Sequence, residues 1–158
     1  MTGGWRLTGI FRYNTGSPES ILSGQDNALI GYCRANSGQE RANVIGNPTL
    51  SRSRSRRDQE LEYFNTGAFV YPSPGQFGTA RRNSIAGPGV LQNDFSVMKR
   101  LVAFPHEVGG FTFRADFFNL INWTNLNEPN NTLGSPAFGQ ITSAAAPRIT
   151  QFALRYDF

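Results

Sequence analysis

The chain has 158 residues and a formal charge of +4 that rests almost wholly on arginine, since Lys99 is the sole lysine among 15 basic residues. Its 13 Phe, 5 Tyr, 2 Trp, 17 Gly and 9 Pro, with abundant Asn, make an all-β, loop-rich composition, and the scarcity of Lys and Glu counts against an ordinary helical surface. One cysteine, Cys33, excludes an intramolecular disulfide and a multi-cysteine zinc site, and one histidine, His106, leaves no His-His metal pair or fallback base.

Four segments alternate with period two, which predicts strands near 5–13, 94–104, 111–122 and 148–158. In the first, "WRLTGIFRY", Trp5, Leu7, Gly9, Phe11 and Tyr13 share one face while Arg6, Thr8, Ile10 and Arg12 share the other. In the second, "DFSVMKRLVAF", Phe95, Val97, Leu101 and Ala103 fall with Lys99, opposite Asp94, Ser96, Met98 and Arg100. The third, "FTFRADFFN", sets Phe111, Phe113, Ala115 and Phe117 against Thr112, Arg114 and Asp116. The last, "ITQFALRYDF", sets Phe152, Leu154, Tyr156 and Phe158 against Gln151, Ala153, Arg155 and Asp157.

The connections are very unequal. "PHEVGG" is a short turn between the second and third segments, whereas residues 14–93 and 123–147 form long loops. Counting up and down the strands puts both long loops at one end of the sheet and the tight turn at the other. A structureless loop of about eighty residues is foreign to a compact soluble domain and expected where long loops project from one end of a transmembrane barrel, and each strand is close to the roughly 9 to 11 residues that cross a bilayer when tilted.

In water, the apolar face of an antiparallel sheet is simply its core face. Here the large aromatics Trp5, Tyr13, Phe111, Phe117, Phe152 and Phe158 sit at strand ends, where barrels carry interfacial girdles. A lipid-facing arginine at mid-depth costs about 2 to 4 kcal/mol, so Arg6, Arg12, Arg100, Arg114 and Arg155 must face the lumen, and the alternation places them together. Lys99 breaks this pattern beside Arg100. Either it snorkels to the nearer interface or a bulge near Met98 resets the phase.

The stretches "FRADFFNLINWTNLNEP" (113–129), "SPAFGQI" (135–141) and "RITQFALRYDF" resemble the C-terminal end of TonB-dependent outer-membrane receptors of the Oar-like kind. "WRLTGIFRYNTGSP" (5–18), "ANVIGNP" (42–48), "YFNTGAFVYPSPGQFGTARRNSIAGPG" (63–89) and "NDFSVMKR" (93–100) fit the same resemblance, which covers nearly the whole chain. It implies an all-β fold in which residues 1–158 supply about four long strands and the outer loops of an incomplete antiparallel barrel. The family's barrel has 22 strands around an N-terminal plug, and neither the plug nor the box that couples it to TonB is in this sequence. Met1 directly precedes the first strand and no signal peptide is present, so a truncated reading frame is the expectation.

The resemblance also implies a bacterial outer-membrane location, energy-coupled uptake of an unidentified ligand, no enzymatic activity and no cofactor. Phe152, Leu154, Tyr156 and Phe158 match the terminal signal read by the barrel-assembly machinery, a case of strand addition at an open edge. Arg100, Arg114, Asp116, Arg155 and Asp157 are the expected lumen-facing charges. Arg114 with Asp116 and Arg155 with Asp157 form opposite-charge pairs at i, i+2, which also suits pairing across strands or contact with a plug. Expected partners are outer-membrane lipid, the assembly machinery, the rest of the barrel with its plug, and the TonB complex through the missing N-terminal part.

The cluster "SRSRSRRDQELEYF" (51–64) invites nucleic-acid binding through Arg52, Arg54, Arg56 and Arg57, yet Asp58, Glu60 and Glu62 follow and would repel phosphate. A solvated loop is expected there, with no nucleic-acid partner. Arg81 and Arg82 read likewise, or contact an anionic ligand or lipopolysaccharide. His106 reads as a turn residue, and Cys33 has no neighbour that would make it a nucleophile. The competing reading from another class is a secreted β-sandwich that buries the aromatic face between two sheets.

Overall fold

The computed structural model describes residues 3–31, 40–102 and 109–157; Cys33, Ala103, Phe104, His106 and Phe158 lie outside them. In chain order the elements are β1 (Trp5–Asn14), β2 (Pro18–Glu19), β3 (Asn43–Val44), α1 (Arg56–Leu61), a 3-10 turn (Thr66–Ala68), β4 (Phe69–Val70), β5 (Ile85–Ala86), β6 (Val90–Val102), β7 (Gly110–Phe118) and β8 (Ile149–Asp157). No described helix is long and apolar enough to cross a membrane.

Two compact units result. The first joins β1, β6, β7 and β8 into one antiparallel sheet in the order β1-β6-β7-β8, so β1 and β8 are its edges and the sheet does not close. β6 begins at Val90, four residues before the expected start, because Leu91 to Asn93 continue the pairing with Phe11 to Tyr13. β7 ends at Phe118 instead of 122. Asn119 and Asn122 take left-handed backbones at φ 53 and 54, which an asparagine tolerates and a strand does not.

Asparagine amides also replace missing ladder bonds at this end. The buried Asn125 accepts from Leu91 N at 2.8 Å and donates to Leu91 O at 2.9 Å, as a neighbouring peptide would. Asn119 does the same toward Trp123, accepting from its N–H at 3.0 Å and donating to its carbonyl at 2.8 Å. Each substitution lets the chain leave the sheet without stranding a backbone polar group.

The second unit comprises Thr15–Gly89 and Leu126–Ala144, the two long excursions between strands. The loop 14–93 is therefore folded. Ile21, Ala42, Phe64, Ala68, Phe69, Ala80 and Ile85 form a buried cluster, against which Tyr63, Leu133 and Phe138 pack. Phe64, Phe69 and Phe138 meet edge to face, with centroids 5.2 to 6.3 Å apart, the arrangement that ring quadrupoles favour. Short main-chain links hold the threads: Ala42 N donates to Ile21 O, Ala80 N to Ala42 O, Leu22 N to Asn131 O and Leu133 N to Leu22 O. Gly78 is required by this crossing, because a Cβ there would run into the carbonyl oxygens of Arg41 and Ala42.

Within the same unit the stretch 51–64, expected to be a solvated loop, is partly helical. Ser55 caps α1 by accepting from Asp58 N at 3.2 Å, and Arg54 braces the far end by donating to the carbonyls of Glu62 at 2.8 Å and Tyr63 at 3.3 Å. One of the four clustered arginines is thus committed to structure.

Candidate functional site: the two faces of the sheet

The sheet's chemistry follows from an unbroken register. β1 pairs with β6 from Trp5 opposite Lys99 to Asn14 opposite Val90, and β6 pairs with β7 from Phe95 opposite Phe117 to Val102 opposite Gly110. β7 pairs with β8 from Gly110 opposite Asp157 to Phe118 opposite Ile149. Because opposed residues point the same way, the alternation of all four strands is in phase.

One face therefore carries Trp5, Leu7, Phe11 and Tyr13 of β1, Leu91, Phe95, Val97 and Leu101 of β6, Phe111, Phe113 and Phe117 of β7, and Phe152, Leu154 and Tyr156 of β8. Those on the edge strands are largely exposed, Phe11 at 72 %, Phe152 at 65 % and Leu154 at 68 %, while Leu91, Phe95, Val97 and Phe117 between them are half-buried. They touch one another across strands, Phe111 to Tyr156 at 4.8 Å and Phe113 to Phe152 at 6.2 Å between ring centroids. A contiguous exposed apolar surface of this kind calls for a non-aqueous neighbour.

The opposite face carries Arg6, Arg12, Asp94, Ser96, Arg100, Arg114, Asp116, Arg155 and Asp157. Arg114 Nε lies 2.9 Å from Asp116 and Arg155 Nε lies 2.7 Å from Asp157, so the charges pair along their own strands at i, i+2. Arg100 stands opposite Thr112, which stands opposite Arg155, and Arg6 opposes Met98, which opposes Arg114. Two adjacent rows thus gather four arginines into a band near the turn end of the sheet.

Lys99 lies on the aromatic face, and the continuous register leaves no bulge at Met98. Its Nζ reaches the strand end, donating to Gly3 O at 2.7 Å and standing 4.6 Å from the Trp5 ring centroid. The ammonium is thereby turned to the sheet's end while its stem covers apolar surface. Reading the strands one at a time hid this contact; the signal that could have found it is the pairing of Trp5 with Lys99.

Of the residues expected to form the terminal signal, Phe152, Leu154 and Tyr156 are brought together on one face of edge strand β8, and Phe158 lies outside the described residues. The β-sandwich alternative would bury the aromatic face, whereas every residue of edge strand β1 is exposed.

An open antiparallel sheet, 9 to 13 residues deep, apolar on one face and charged on the other, defines a membrane-type β-barrel wall. Residues 1–151 match the family model described as Outer membrane beta barrel domain, and the chain belongs to that family. It is a protein of the bacterial outer membrane. No curated protein and no solved structure matches the chain.

Proposed function

We propose that the chain is the C-terminal barrel portion of a TonB-dependent outer-membrane transporter of the Oar-like kind, acting in energy-coupled uptake of a ligand and not in catalysis. The observation that carries this reading is the asymmetry of the connections: two long excursions leave one end of the sheet and build a unit with its own aromatic core. Investment of this size in one set of loops suits a protein that captures something outside the membrane, more than a plain structural wall. The motifs that resemble the Oar-like receptors run through both units and point the same way.

In this reading the aromatic face meets lipid, and the arginine band with Asp116 and Asp157 looks into the lumen, toward a plug supplied by the rest of the protein. Phe152, Leu154, Tyr156 and Phe158 present the final strand to the barrel-assembly machinery by edge pairing. Coupling to the TonB complex runs through the plug. The test is co-purification of the TonB periplasmic domain with the complete gene product, extracted from outer membranes in mild detergent. Retention of TonB is expected; a complete product that never retains or cross-links to TonB overturns the transporter reading and leaves an outer-membrane barrel of another function.

A further inference from the structure

The two edges of the sheet, β1 and β8, are unpaired, and nearly all of their residues are exposed. In hydrocarbon this is untenable, because the free N–H and C=O groups of an edge find no water to bond. The sheet cannot cure this by curling on itself: it has four strands, and membrane barrels need about eight. Strands from elsewhere must cover both edges.

The two edges fit each other. Neighbouring strands alternate in direction, so β8 of one copy set beside β1 of another is antiparallel to it, like every pair within the sheet. Keeping the aromatic side chains on one side restricts the register to steps of two residues. One such register pairs the whole of β8 with residues 6–14, from Arg6 opposite Asp157 through Thr8 opposite Arg155 to Asn14 opposite Ile149. It sets Arg6, which makes no ion pair with a described residue, against a carboxylate. It also sets Leu7 against Tyr156 and Phe11 against Phe152 on the lipid side, the aromatic cross-strand pairs that stabilise a ladder. One step in one direction opposes Arg6 with Arg155, two like charges. One step in the other moves Asp157 to Thr8 and takes the carboxylate from Arg6.

We infer that copies of this chain associate head to tail, β8 of one against β1 of the next with Arg6 facing Asp157, and close a barrel wall between them. Such an interface is heterologous, and a closed ring of it leaves no edge. Two four-stranded sheets joined in this way reach the size of the smallest outer-membrane barrels, about eight strands. Each copy keeps the direction of its strands, so all the long excursions stay at one end of the ring. The inference goes beyond the transporter reading and does not rest on it. Further strands of a transporter barrel are the competing occupant of the same edges, and the experiment separates the two.

The test is disulfide cross-linking of the 158-residue chain carrying Cys33→Ser, folded into phosphatidylcholine vesicles and oxidised with copper phenanthroline. Chains with Ile10→Cys are mixed with chains with Ala153→Cys, two positions that the register places opposite each other on the charged face. A covalent dimer of one chain of each kind is expected. Ile10→Cys mixed with Ile149→Cys, four residues out of register, is expected to give about tenfold less. Arg6→Asp in the first chain is expected to raise the protein concentration for half-maximal cross-linking about two- to five-fold, and Asp157→Arg in the second to restore it. Thr8→Cys with Ser96→Cys, opposed within one sheet, oxidises inside a single chain and reports that the sheet is folded. Where that internal link forms, absence of the mixed dimer overturns the interface and leaves the edges to other strands. Equal cross-linking out of register, equal dimer from Ile10→Cys chains alone, or no response to the charge swap overturns it as well. Failure of the complete gene product to retain TonB leaves this result untouched.

Discussion

The two units of this protein satisfy their apolar residues in opposite ways. In the sheet, Leu7, Phe11, Phe152 and Leu154 are each more than 60 % accessible, while in the excursion unit Ile21, Ala42 and Phe64 are at 2 % or less. The sheet is held by its ladders and leaves its aromatic face for the membrane to cover; the excursion unit buries Phe64 and Phe69 in a core of its own. The sheet unit holds 13 of the chain's 20 aromatics, yet seven remain in the excursion unit, so aromatic content alone does not tell which rings face lipid and which form a core. What separates them is pattern: strict period two in one, and irregular spacing knitted by Asn, Gly and Pro in the other.

The comparison is broken most directly by changing the solvent. Without detergent, the exposed aromatic face and the open edges β1 and β8 should drive the chain into aggregates; a monodisperse monomer in plain buffer on sizing chromatography would show that the face is covered by protein instead. In detergent, Phe64→Ala should cost the excursion unit about 3 to 5 kcal/mol by opening a void among Phe64, Phe69 and Phe138. Hydrogen exchange should then rise in 40–89 and 126–144 and stay unchanged in β6 and β7. Equal loss of protection in both would mean that the units are not separate folding entities.

The sheet is tested by the complementary experiment. Val97 lies on the aromatic face between Leu7 and Ala115, so Val97→Arg should cost about 2 to 4 kcal/mol for folding into lipid vesicles. Thr8→Arg, on the arginine face opposite Ser96, should change stability by less than about 0.5 kcal/mol. Denaturant titration of vesicle-folded protein reads both. If the two substitutions cost the same, the assignment of faces is wrong.

The sheet was legible in the sequence because its rule is local: period two sorts Arg114 from Phe113 without knowledge of any partner strand. The excursion unit was not, because its core joins Ile21, Ala42, Phe64 and Phe138, residues that no short-range pattern links. Its threads are also tied by asparagine side chains that donate to backbone carbonyls, Asn65 to Asn47 O and Asn131 to Ser20 O, and an Asn in sequence reads equally well as solvated loop. Arg54 shows the same limit. Counted with Arg52, Arg56 and Arg57 it is part of a basic run, and only the fold shows that it is bonded to four backbone carbonyls.

A smaller effect sharpens the sheet's end. Trp5 and Lys99 should couple by about 0.5 to 1 kcal/mol in a double-mutant cycle of Trp5→Leu and Lys99→Gln in lipid vesicles. Additive single effects would indicate that Lys99 reaches the interface without help from the ring.

The smallest predicted effect belongs to the excursion unit and depends on pH. Burial raises the Glu19 carboxyl above its usual range, the nearby Glu128 carboxyl adds to the rise, and the amide of Asn131, donating at 3.0 Å, works against it. A carboxyl whose pKa is higher in the fold than in the unfolded chain favours the protonated folded state. The stability it contributes is present below the unfolded value of 4.5 and is lost as pH rises through the raised folded value. The excursion unit should therefore be slightly more stable at mildly acidic pH than at neutrality, by less than about 1 kcal/mol once solvent screening is allowed for. Glu19→Gln keeps an acceptor for Asn131 and removes the repulsion with Glu128, so it should stabilise the unit at pH 7 and flatten this dependence. Hydrogen exchange at Leu22 and Leu133, whose N–H groups bind Asn131 O and Leu22 O, measures it locally. The amides of β6 and β7 should show no such change. A pH response of equal size in the sheet would mean that Glu19 is not its source.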